Sequence, residues 1–159
     1  MKQVTYESIE KAINIIDNLP DDQLETIASD FSKAQPTLIS YALSASEEFN
    51  NERLQGLLIY YFCLIIEAFR QEGIELNEVK EEEVDEFEEP FFQALDTYFQ
   101  TENIETLEEF VGQSVLVQFM TIEISTPDED GTALDDETAT QLFIVTLAVI
   151  YLLTNSIKG

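Results

Sequence analysis

The residues from Ser125 to Glu137, STPDEDGTALDDE, come nearest in this sequence to a chemical motif. An EF-hand calcium loop takes ligands at positions 1, 3, 5, 7, 9 and 12 and has glycine at position 6. With Gly131 at position 6, Asp128 and Asp130 fall at positions 3 and 5, and Glu137 falls at position 12, where a bidentate carboxylate belongs. These three carboxylates are the candidate ligands of a divalent cation.

The same segment also departs from a calcium loop. Position 1 is Thr126, a neutral hydroxyl, and position 8 is Ala133, where a branched apolar residue normally pairs with a second loop. The residues also fit two helix starts, because Thr126–Glu129 and Thr132–Asp135 each place an acid three residues after a threonine, as in a capping box. We therefore interpret the segment as a polar turn between helices and keep cation binding as the alternative.

Pairs of acids three residues apart, such as Glu82 and Asp85, suggest a second chemistry. All-α metal-dependent phosphohydrolases hold Mg²⁺ with such pairs on facing helices. The sequence has 33 acids in 159 residues, so roughly seven such pairs arise by chance. It has no histidine, which excludes Ser-His-Asp and Cys-His catalysis. We predict a protein that is not an enzyme and needs no cofactor, with the phosphohydrolase as an alternative.

The segment from Glu72 to Glu109 is the most acidic part of the chain. It contains fifteen acids and one cation, Lys80, for a net charge of −14. Like charges four residues apart destabilise a helix, so this density has a folding cost. Aromatic residues lie within the acidic segment, and not all of them can face one core. Exposed aromatic rings surrounded by carboxylates suit the binding of a basic protein.

We therefore predict a protein-binding module of the inhibitor, immunity or adaptor type that engages a basic partner through the face around residues 78–99. Two other interpretations remain: a solvated helix face that only confers solubility, and a homodimer that buries the aromatic residues. The predicted partner-binding residues are Glu82, Glu83, Asp85, Glu86, Phe87, Glu88, Glu89, Phe92 and Phe99.

The whole chain carries a formal net charge of −26. That charge repels nucleic-acid backbones and anionic lipid surfaces, so neither is an expected partner. The two longest apolar runs, Leu57–Ile66 and Leu142–Leu153, are too short to span a bilayer of roughly 30 Å. The single cysteine, Cys63, lies in one of these runs and is predicted to be a buried thiol. We expect a cytoplasmic protein.

Hydrophobic spacing places helical stripes along most of the chain. Two apolar helices, Leu54–Arg70 and roughly Asp135–Ser156, are predicted to lie inside a ring of amphipathic ones. Pro90 is expected to kink the acidic helix or divide it into two. Residues 115–124 are rich in β-branched residues and fit a helix or a strand, and we predict a helix. The expected fold is a single all-α domain over residues 1–159, a bundle of about six or seven helices around two central apolar helices.

Overall fold

A computed structural model describes residues 3–127, 131 and 133–158 of the chain. The candidate ligands Asp128 and Asp130 lie outside the described residues. Within those residues the chain forms eight α-helices: α1 Tyr6–Asp17, α2 Asp21–Ala34, α3 Pro36–Glu48, α4 Glu52–Gln71, α5 Glu81–Thr101, α6 Ile104–Val111, α7 Ser114–Ser125 and α8 Asp136–Thr154.

The predicted all-α bundle is confirmed, with α4 and α8 as its two central helices. Helix α4 packs against α1, α2, α3 and α8, and α8 also contacts α5, α6 and α7. Residues 61–69 of α4 and 145–154 of α8 are buried nearly all round, as helices surrounded by other helices must be. Cys63 lies at the middle of α4 and is fully buried. Burial raises the pKa of its thiol to about 11.

Local sequence signals explain most helix ends. Thr5 caps α1 by accepting a hydrogen bond from the Ser8 backbone, and Asn51 caps α4 in the same way. Pro36 is the first residue of α3, where its missing N–H costs nothing. Gly73 adopts a positive φ of 75° just after α4, a conformation that glycine tolerates. Helix α4 begins and ends within two residues of its predicted limits, Leu54 and Arg70.

Three local predictions were wrong. The polar composition of Ser44–Glu52 predicts a connection between helices, but α3 continues to Glu48. Thr126 was expected to cap a helix start, but it follows the end of α7, and its hydroxyl donates to the Ile122 carbonyl. The cap of α8 is Asp135 rather than Thr132. In each case hydrogen bonding to neighbouring backbone extended or capped a helix that composition alone placed differently.

Between Glu81 and Ser125 the helix boundaries also differ from those predicted from the sequence. Helix α5 is continuous through Pro90, so of the two expected outcomes, a kink or a division into two helices, the division is wrong. The first break comes later, at Glu102, whose φ of 58° ends α5, and a second comes at Gly112, whose φ of 81° ends α6. Residues 115–124 are helical, as predicted. These divisions give eight helices rather than six or seven.

An extended segment from Ile74 to Lys80 leads from α4 to α5. Leu76 pairs antiparallel with Ile157 near the other end of the chain, and the Asn77 backbone N–H donates to the Ser156 carbonyl at 2.6 Å. The buried amide of Gln35 holds the other side of this segment. It donates to the Asn77 carbonyl and accepts from the Val79 N–H. The start of α5 is therefore fixed from two directions.

Helix α8 is the one described helix that is long and apolar enough to cross a membrane. Its most apolar window has a mean hydropathy of 1.5, but 67% of that window is buried inside the bundle. The core helix of a soluble protein has the same properties, because such a helix is apolar on every side.

Candidate functional site

The acidic residues predicted to bind a partner lie almost entirely on α5. Seven of its first nine residues are acids, and the helix contains no lysine or arginine. Acids in the first turn are stabilised by the helix dipole. Those further along are not, and Glu82 with Glu86 and Asp85 with Glu89 form like-charged pairs four residues apart. The first half of α5 is therefore a concentrated negative surface.

Glu83 differs from the other acids because the fold uses it. Its carboxylate accepts a hydrogen bond from the Lys80 backbone N–H at 3.2 Å and another from the Ser156 hydroxyl at 3.2 Å. It thereby caps the start of α5 and ties the helix to the segment after α8. Glu83 lies beside Glu86 and Phe87, on the other side of α5 from Asp85, Glu88 and Phe92. We assign it a structural role.

One row of residues on the surface of α5 contains both acids and aromatic rings. Steps of four, three, four and seven residues connect its members, so they lie along one side of the helix. Phe92 is 47% exposed and Phe99 is 53% exposed, and the acids of the row are exposed as well. We call this set the α5 row: Glu81, Asp85, Glu88, Phe92 and Phe99.

Each exposed ring of the α5 row contacts a neighbouring ring that is less exposed. Phe92 lies 5.7 Å from the buried ring of Phe91, and Phe99 lies 5.3 Å from Tyr98, measured between ring centroids. Tyr98 in turn contacts Phe143 of α8 at 5.8 Å. Neighbouring aromatic rings restrict one another's orientation, so each exposed ring is held in place before any partner arrives.

Phe87 does not belong to the exposed surface. It is 3% exposed and packs against Tyr41, Phe91 and Tyr151 with centroid distances of 5.8, 5.0 and 5.6 Å. The prediction that Phe87 contacts a partner is therefore not compatible with its position. It lies on the core side of α5, in register with Val84 and Phe91, because residues three and four apart share a helix face.

A polar groove of about 550 Å³ separates the start of α5 from α3. Hydroxyl groups of α3 line one wall, and Glu81 and Asp85 line the other. Burial, followed by the charge of Glu88, raises the pKa of Tyr41 in this groove to about 12. Tyr41 therefore remains a neutral hydrogen-bond donor at physiological pH.

A smaller groove of about 190 Å³ lies at the other end of the α5 row. It is bounded by the end of α5, the end of α7 and the first turns of α8. Its walls are largely apolar, and Phe99 forms one edge. Ile122, 64% exposed, lies one turn before Ser125 on α7. The groove is lined by Tyr98, Phe99, Thr121, Ile124, Ser125, Ala139, Thr140 and Phe143.

The structure thus brings part of the predicted site together and shows two features that the sequence did not predict. Asp85, Glu88, Phe92 and Phe99 lie in one row, with the exposed carboxylates of Glu82, Glu86 and Glu89 beside it on the outer surface of α5. Glu81 belongs to the row and was missed, although the spacing to Asp85 indicated it. The apolar groove was also missed, because its residues come from three helices and only the tertiary fold brings them together.

The candidate cation ligand Glu137 lies in the first turn of α8 and is exposed. Asp135 caps this helix by accepting a hydrogen bond from the Thr138 N–H at 3.4 Å, and bonding to Thr138 lowers the pKa of that carboxyl. Within residues 3–127, 131 and 133–158, no three His, Cys, Asp or Glu side chains are grouped to hold a metal ion. Asp128 and Asp130 fall outside these ranges.

The chain matches no protein-family model, and comparison with curated proteins and with solved structures finds no significant similarity.

Proposed function

We propose that this protein is a non-catalytic binding module that engages a basic protein through the exposed side of α5. The observation that carries the proposal is the α5 row, in which Phe92 and Phe99 stand half-exposed next to an uncompensated run of carboxylates. Aromatic residues are enriched where proteins bind one another, and an acidic rim favours a basic partner.

The like-charge repulsion within α5 supports a binding surface over a surface that only confers solubility. A soluble face needs charge, but it does not need like-charged pairs on one helix or large exposed rings beside them. The α5 acids beyond the first turn gain nothing from the helix dipole and make no capping or core contact that would offset their repulsion. A basic partner would offset that repulsion on binding.

Binding would proceed in two stages. The field of the chain, with a formal net charge of −26, attracts a basic partner from a distance and orients it toward α5. Phe92 and Phe99 are then buried in the interface, where aromatic anchors contribute most of the binding energy. Association should therefore slow as salt is added, because salt screens the first stage.

Site-specific photocrosslinking in a native extract tests the proposal. A photoreactive phenylalanine is placed at Phe92 or Phe99, and as a matched control at Phe49, which is 41% exposed at the end of α3. We expect both α5 positions to capture the same basic protein and Phe49 not to capture it. Crosslinking that is equal at all three positions would contradict the proposal.

Charge variants of the purified protein then test whether binding depends on the acids of α5 or only on the net negative charge of the chain. Asp85→Asn, Glu88→Gln and Glu89→Gln together remove three charges from α5. The control variant removes three exposed charges from α1 and α2 through Glu10→Gln, Glu25→Gln and Asp30→Asn. We expect the α5 variant to weaken binding of the captured partner about tenfold more than the control. Equal losses would indicate attraction without a defined site.

A further inference from the structure

The α5 row changes in chemistry along its length. Residues 81–89 carry seven acids, whereas residues 90–101 carry one, Asp96, together with the exposed rings of Phe92 and Phe99. At about 1.5 Å per residue, Glu81 and Phe99 are roughly 27 Å apart along the helix. A partner that contacts the whole row therefore meets a negative end and an aromatic end.

The two grooves reinforce this division. The polar groove beside Glu81 and Asp85 offers carboxylates and hydroxyl groups, which suit lysine and arginine side chains. The groove at Phe99 is largely apolar, and its volume of about 190 Å³ suits one or two hydrophobic side chains. Each groove lies next to the part of the α5 row whose chemistry it shares.

We infer that the occupant of this surface is one helix of the partner, with lysine and arginine at one end and apolar residues at the other. Its basic end lies over Glu81, Asp85 and Glu88, and its apolar end packs on Phe92 and Phe99 and inserts a side chain into the apolar groove. This inference rests on the proposed function and adds the form and polarity of the bound segment.

The spacing of the α5 row is the reason for assigning a helix to the partner. Steps of three and four residues produce a straight ridge on one side of α5, and such ridges pack against helices that carry the same spacing. An extended strand would instead need a continuous edge of free backbone N–H and C=O groups, and in the interior of α5 only the Glu86 carbonyl, opposite Pro90, lacks its helical donor.

A designed peptide tests the inference directly. The probe is a helical peptide of about 20 residues, long enough to cover the row at roughly 30 Å, with lysines in one half and leucines in the other. A second peptide has the same composition with the two residue types interspersed. We expect the two-part peptide to bind about tenfold more tightly, as measured by fluorescence anisotropy.

Matched variants of the protein and a labelled peptide test where each end of the two-part peptide binds. Thr140→Phe fills the apolar groove from an exposed helix position, and Thr97→Phe makes the same change on the outer surface of α5. We expect Thr140→Phe, but not Thr97→Phe, to weaken the two-part peptide about tenfold. A nitroxide at the leucine end should broaden the amide signals of Ser125 and Thr140 and leave those of Ser40 and Ser44 sharp.

The outcomes distinguish the inference from the proposed function. If the α5 charge variant weakens the natural partner while Thr140→Phe leaves peptide affinity unchanged, the two-part helix is wrong and the binding surface stands. Equal affinity of the two peptides, no binding of either, or broadening at Ser40 and Ser44 also overturns the inference. If neither the charge variant nor salt changes partner affinity, the proposed function fails as well.

Discussion

Two buried glutamine side chains fasten extended segments to the helical bundle. Gln35, between α2 and α3, bonds the backbone of Asn77 and Val79. Gln113, between α6 and α7, accepts a hydrogen bond from the Val4 N–H at 2.8 Å. A side-chain amide both donates and accepts, so one residue can satisfy backbone groups that no sheet or helix pairs. Neither glutamine stands out in the sequence, but each bonds backbone groups that hold the fold together.

Replacement of Gln35 by leucine should destabilise the protein. The change keeps most of the side-chain volume but leaves the Val79 N–H and the Asn77 carbonyl without their partner. We expect a loss of about 1–3 kcal/mol in the free energy of unfolding, measured in urea. Gln23→Leu, on the exposed side of α2, is the control and should change stability by less than about 0.5 kcal/mol. A similar small change at Gln35 would refute the assigned role.

Glu72 gives a prediction that depends on pH. Its carboxylate accepts hydrogen bonds from the Ser8 hydroxyl at 2.6 Å and from the backbone and hydroxyl of Thr5, and these bonds lower its pKa. Because the folded pKa is depressed, the contribution is present above the unfolded pKa of about 4.3 and is lost as pH falls through the folded pKa.

Glu72→Gln should therefore lower stability at neutral pH and have little effect at strongly acidic pH. We expect less than about 1 kcal/mol at neutral pH, because solvent screens this surface carboxylate. Glu75→Gln removes a charge from the same region and corrects for reduced repulsion across the chain. Denaturation curves that show the same Glu72→Gln effect at both pH values would contradict the assignment.

At the scale of elements, periodicity predicted the helices well because each has an apolar stripe that must be buried. The spacing of Val84, Phe87 and Phe91 indicates the core side of α5, where all three are buried. The exceptions have physical causes as well. Phe87 was misassigned to a partner because aromatic residues in an acidic segment look alike until burial separates them. The apolar groove depends on the packing of three helices, which no local pattern describes.

Pro90 should reduce the stability of α5. It lies inside a continuous helix, where proline cannot donate a hydrogen bond to the carbonyl four residues earlier, and its side chain is exposed. We expect Pro90→Ala to raise the free energy of unfolding by about 1–3 kcal/mol. Gln93→Ala, at an exposed position one turn later, should raise it by less than about 0.5 kcal/mol. Thermal unfolding that is unchanged by Pro90→Ala would show that the helix has adapted to the proline.

At the scale of the whole molecule, the main feature is the large net negative charge. A formal net charge of −26 on a chain of 159 residues opposes the compact state through self-repulsion. Ion pairs among the described residues join Lys11 to Glu7, Arg70 to Glu67, and Lys80 to Glu78. Because 33 acids face 7 lysines and arginines, most acids cannot be paired with a cation. Most of the stability must therefore come from the apolar core around α4 and α8.

Salt should stabilise the folded protein. Between about 10 mM and about 1 M KCl the screening length falls from about 30 Å to about 3 Å, which weakens repulsion among the surface acids. We expect the melting temperature to rise over this range. With Ca²⁺ or Mg²⁺ at the same concentration, the rise should be equal, and Glu137→Gln should not change it. A selective rise with Ca²⁺ that Glu137→Gln abolishes would instead establish the loop at residues 126–137 as a cation site.

The burial of Cys63 has a kinetic consequence. Since the chain has one cysteine and that thiol has no exposed surface, a thiol reagent can modify it only after α4 separates from the helices around it. The rate of modification in native buffer then measures how often the centre of the molecule opens. If that rate equals the rate of global unfolding, α4 belongs to the last part of the structure to open. Faster modification would reveal a partial opening that leaves the rest of the bundle folded.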